Sequence, residues 1–71
     1  MGMSEETWYF IYFVEDRIIY TEHEIMNRDK AEKDGRRIMK HGFAREGVHE
    51  KVSRVCVISE NGDIAIDICN S

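Results

Sequence analysis

Three histidines and two cysteines, His23, His41, His49, Cys56 and Cys69, are the side chains of this chain best suited to nucleophilic or metal chemistry. None falls in a Cys-x-x-Cys or His-Glu-x-x-His arrangement, where a fixed spacing sets two donors on one ion. A nucleophilic Cys56 would need a histidine brought to it by the fold. A carboxylate facing that thiol would also keep it protonated. The five glycines are scattered and cannot form a phosphate-cradling loop. No catalytic residue, no metal ligand and no cofactor is therefore expected, and the chain reads as a non-enzyme.

Recognition chemistry is better represented. The run Trp8-Tyr9-Phe10-Ile11-Tyr12-Phe13-Val14 has strand composition, and strand side chains alternate between two faces. One face carries Trp8, Phe10, Tyr12 and Val14, the other Tyr9, Ile11 and Phe13. Both are apolar, so both need cover. A domain with a single helix covers one, which leaves an apolar face for a second copy or another protein. Trp8, Tyr9, Phe10 and Tyr12 are the candidate interface residues. The alternative is nucleic-acid binding, with Arg36, Arg37, Lys40 and Arg45 on phosphate and aromatic rings stacking bases. The net charge of −4 and the absence of an RNP-type motif weigh against it.

The charge is segregated. Up to Asn27 the acids Glu5, Glu6, Glu15, Asp16, Glu22 and Glu24 face Arg17 alone, whereas every other basic residue lies between Arg28 and Arg54. Such polarity can orient a partner, and it also fits an ordinary solvated helix. With 71 residues the chain is one domain with one modest core. The spacing and number of its cysteines do not suggest a disulfide framework. No apolar run approaches the length of a membrane span, and the N-terminus lacks signal-peptide character, so a cytoplasmic location is expected. Residues 1–6 are expected to form a disordered tail, and residues 7–70 one α+β domain.

The elements that must position these residues follow from local signals. Glu15-Asp16 reads as a tight reversal between the first strand and Arg17–Thr21, with Phe13 opposite Ile18 and Ile11 opposite Tyr20. Residues 22–27 read as a connection. A helix is predicted over 28–41, with Asn27 as N-cap, Gly42 as C-cap and a buried stripe of Ala31, Gly35, Ile38 and Met39. Gly35 lets the helix approach the sheet closely, over the bulky aromatic rings. Phe43 is expected to close the core and residues 44–50 to form a charged loop. Strands are predicted over 51–59 and 64–69, joined by Asn61-Gly62 as a type I′ turn. That turn sets Ser59 opposite Ile64, Val57 opposite Ile66 and Val55 opposite Ile68, with Val55, Val57, Ile64, Ile66 and Ile68 beneath the helix. The expected fold is a four-stranded, largely antiparallel sheet in β-β-α-β-β order with one helix on one face.

Overall fold

The structure, a computed structural model, describes residues 5–45 and 48–69, with side chains described outside 43–50. Its elements are β1 (Glu6–Val14), β2 (Arg17–Met26), α1 (Arg28–His41), β3 (Phe43–Arg45), β4 (Val48–Glu50), β5 (Arg54–Ser59) and β6 (Ile64–Cys69). Four strands form one antiparallel sheet in the order β2-β1-β5-β6, and α1 packs on one face. The expected α+β architecture is present, with β1 joined to β5 so that every neighbour is antiparallel. A short ribbon of β3 and β4 is inserted after the helix, where a loop was expected. None of the described helices is long and apolar enough to cross a membrane.

Both ends of α1 are where the sequence placed them. The Asn27 side chain accepts from the Lys30 amide at 2.8 Å, and the Gly42 amide donates to the Ile38 carbonyl at 2.7 Å. Gly42 has φ +76°, in the left-handed region that suits glycine at a helix end. Ala31 and Gly35 are buried, with Ile38 and Met39 packed against the core. A Cβ on Gly35 would lie 2.8 Å from a Val57 methyl and 3.0 Å from an Ile66 methyl. The close approach is real, but aliphatic residues lie beneath it rather than aromatic rings. The helix leans on β5 and β6, and only lightly on β1.

The helix covers the even-numbered face of β1. Trp8, Phe10 and Tyr12 join Val55, Val57, Ile66, Met26 and Ala31 in the core, with Val52 closing one end. Burying an indole nitrogen without a partner is costly, and the Trp8 Nε1–H donates to the Met26 carbonyl at 3.1 Å. That bond ties β1 to the far end of β2. Segment 22–27 is therefore not a connection: β2 continues through it to Met26. Glu6, expected in a tail, opens β1 and accepts from Asn61 Nδ2. The rest of the expected tail, apart from Glu5, and the side chains of Phe43 and Val48 lie outside the described residues.

Two bulges account for the remaining differences in register. Phe13 does face Ile18, but Ile19 is an extra residue, so Tyr12 faces Tyr20 and Ile11 faces Thr21. In the second hairpin Val57 faces Ile66 and Val55 faces Ile68, as expected. Ala65 is the extra residue there, so Ile64 faces Ile58 and turns away from the helix. The cause lies in the turn. Gly62 has φ +90° and Asn61 does not have positive φ, which excludes type I′. Instead the Gly62 amide bonds the Ser59 carbonyl and the Ser59 amide bonds the Asp63 carbonyl. This is a three-residue loop with glycine in the left-handed position. The buried Ser59 hydroxyl holds it by accepting from the Asn61 and Asp63 amides.

Candidate interaction surface

The one described helix lies on one face of the sheet, and several large apolar side chains on the opposite face are exposed. Alternation from the observed registers places Thr7, Tyr9, Ile11 and Phe13 of β1 there, beside Ile18, Thr21, His23 and Ile25 of β2. β5 adds Arg54, Cys56 and Ile58, and β6 adds Ile64, Asp67 and Cys69. Tyr9 is 41% exposed and Ile25 70%, with Ile18 and Ile64 between them. Ile11, Phe13, Cys56 and Ile58 are half-buried.

Of the four residues predicted as an interface, only Tyr9 belongs to this surface. Trp8, Phe10 and Tyr12 are core residues beneath the helix. Ile11, Phe13, Ile18, Ile58 and Ile64 take their place. The period-2 pattern of β1 contained this answer. What it lacked was the choice of face, which the helix makes by lying over Val55, Val57 and Ile66.

Among the described residues, charge on the open face is limited to one pair that neutralises itself. Arg54 Nε and Nη2 donate to the two carboxylate oxygens of Asp67, both at 2.8 Å. This bidentate bond, with Arg54's charge, holds the Asp67 carboxyl below its ordinary range. The guanidinium also lies 4.7 Å from the centre of the Phe13 ring. At the other end, the Tyr9 and His23 rings pack 5.7 Å apart. These contacts fix the aromatic side chains before any partner arrives.

The candidates for covalent and metal chemistry are not brought together. Cys56 faces Asp67, as the hairpin register required, and burial and then that carboxylate push its thiol up. β1 stands between Cys56 and His23. Cys69 faces Arg54, diagonal to Cys56, at a spacing of about 7–8 Å that exceeds disulfide reach. His41 ends the helix, and the side chain of His49 lies outside the described residues. Among the described residues no group of three or more His, Cys, Asp or Glu could hold a metal.

The basic helix surface is largely compensated. Arg36 binds Glu32, Arg37 and Lys30 share Asp34, and Lys33 reaches Asp29. Of the alternative nucleic-acid residues, Arg36 and Arg37 are thus engaged within the helix, Lys40 is exposed, and the Arg45 side chain lies outside the described residues. Exposed pairs of this kind contribute little stability, but they reduce the positive potential a phosphate backbone would meet.

No protein-family model matches this chain, and comparison with curated proteins and with solved structures finds no match.

Proposed function

We propose that this protein is a small non-catalytic interaction module that pairs with a second copy of itself through the open sheet face. The observation that carries the reading is an apolar four-stranded face whose one ion pair is internally neutralised. At about 33 Å2 of sheet per side chain, this face spans roughly 450 Å2. Two copies stacked on it remove on the order of 1,000 Å2 from water, the lower bound for a specific interface. A single layer of helix and sheet is a thin core for a chain of this size, and self-association is a common remedy.

A second copy suits this surface for two reasons. An uncharged face offers no potential with which to select a charged partner. It also avoids the repulsion that two chains of net charge −4 meet elsewhere. Aromatic and branched side chains held by their neighbours lose little entropy on contact.

Solution mass by light scattering, from micromolar to millimolar protein, tests this. The wild type should be dimeric, with little dependence on salt. Tyr9→Glu should weaken the dimer by roughly 100-fold or more, because an unpaired buried carboxylate costs several kcal/mol. Its circular dichroism should stay unchanged, since Tyr9 is outside the core. A wild type that stays monomeric at millimolar concentration would refute the reading.

A further inference from the structure

The two edges of the sheet are built differently. β6 is short, its ladder is broken by the bulge at Ala65, and the Arg28 guanidinium donates to the Ile64 carbonyl at 2.9 Å. The helix also leans on that side. These are the devices by which natural sheets blunt an edge. β2 is ten residues long and, among the described strands, pairs with β1 alone. Its bulge lies at Ile19, near the hairpin, and beyond it the run from Tyr20 to Met26 contains neither lysine nor proline. About half of the backbone N–H and C=O groups on an antiparallel edge point outward.

The side chains along this edge specify what could lie beside it. Glu22 and Glu24 project on the helix side, where with Asp34, Arg37 and Ile38 of α1 they wall a small groove of about 80 Å3 floored by Phe10 and Tyr12, and beyond that groove they border the outer edge of β2. Glu22 accepts from the Tyr12 hydroxyl at 2.6 Å. Among the described residues no ion pair reaches Glu22 or Glu24, whereas Asp29, Glu32 and Asp34 on the helix are each matched by a cation. On the opposite side of the same run stand His23 and the exposed Ile25.

We propose that the outer edge of β2, from Thr21 to Met26, accepts an extended segment of another protein as a fifth strand, with basic residues at alternate positions. Side chains on an added strand lie about 5 Å from those directly opposite, within reach of Glu22 and Glu24. The intervening residues fall on the open side beside Ile25 and are apolar. Main-chain bonds supply the affinity and the alternating side chains the selectivity. A second copy is a poorer occupant. Pairing β2 with itself about Glu22, His23 or Glu24 sets carboxylate against carboxylate.

The test uses the intact protein and an acetylated, amidated octapeptide of alternating lysine and valine. Binding is read by calorimetry and by amide exchange along β2. Two further peptides carry N-methyl groups on one or the other alternate set of amides. Because only one edge of an added strand meets β2, one N-methylated peptide should lose binding and the other should keep it. An alternating glutamate and valine peptide should bind at least tenfold more weakly. Glu24→Lys should weaken the lysine peptide about three- to tenfold while leaving the melting temperature unchanged. The proposal is overturned if the lysine peptide fails to bind at millimolar concentration. It is equally overturned if both N-methylated peptides bind like the parent, which would mark simple charge attraction, or if β2 amides are already protected by self-pairing.

Discussion

Replacing Gly35 with alanine sets two opposing effects against each other at one position. In an exposed helix the change would stabilise by about 1 kcal/mol, because alanine loses less backbone entropy than glycine. Here the added methyl would lie 2.8 Å from Val57 Cγ2 and 3.0 Å from Ile66 Cγ2. An ordinary contact between carbons is about 3.5–4.0 Å, so one group must retreat by roughly 1 Å. Val57 is fully buried in a central strand, and its β-branched side chain has few rotamers to choose from. The helix must therefore lift, and overpacking of this kind costs about 1–3 kcal/mol. The net expectation is a loss of about 1 kcal/mol, or a melting temperature lower by roughly 4–8 °C for a domain of this size. Thermal unfolding followed by circular dichroism reads it directly. Adding Val57→Ala makes space for the new methyl, so the double variant should be more stable than the sum of the two single losses by about 1 kcal/mol. A rise in melting temperature for Gly35→Ala, or strict additivity with Val57→Ala, would refute the close-packing argument.

Two further expectations concern pH. Burial, and then the hydrogen bond and charge of Glu22, raise the Tyr12 hydroxyl far above its ordinary range. The unfolded chain therefore releases that proton first. Stability from this group is complete below about pH 10 and falls by about 1.4 kcal/mol per unit above it, until the folded form also ionises. Tyr12→Phe should lack this slope, so its stability relative to the wild type should rise between pH 9 and pH 11 in urea titrations, and parallel curves would contradict the assignment. Asp67 is displaced in the opposite sense, held below its ordinary value chiefly by the Arg54 hydrogen bond. Its contribution is complete above about pH 5 and is lost as pH falls through 4 toward the folded value. Asp67→Asn should have a shallower acid limb than the wild type in the same titration, and identical acid limbs would count against the pair.

The helix was legible because its signals are local. Asn27, Gly42 and the stripe from Ala31 to Met39 each act within a few residues of themselves, and all act where expected. The strands were legible in type but not in register. Register depends on whether a bulge intervenes, and neither Ile19 nor Ala65 differs in composition from the residues around it. The Asn-Gly pair marked a turn correctly. Its type was decided by Ser59, whose hydroxyl accepts two loop amides and favours the three-residue form. The residues of the open face were the least legible. β1 is apolar on both faces, so its own pattern could not say which face the helix would take. That choice was made by Val55, Val57 and Ile66, which present a smooth aliphatic floor against which a glycine-bearing helix can settle.

The same choice explains where the charge ended up. A chain with net charge −4 can bring two copies together only where few acids would meet. The helix meets part of this constraint by pairing its acids with its own lysines and arginines three and four residues away. β2 does not: its one basic residue, Arg17, lies at the hairpin end, far along the strand from Glu22 and Glu24. The β1–β2 register turns both carboxylates to the helix side and leaves Thr21, His23 and Ile25 on the open face. A shift of one residue would reverse this and place both carboxylates in the middle of the apolar surface. Screening over about 8 Å at physiological salt would not relieve carboxylates buried between two sheets. The bulge at Ile19 therefore has a consequence beyond the hairpin. It lets an uneven turn begin with Phe13 against Ile18 and still deliver Glu22 and Glu24 to the helix side, away from the open face.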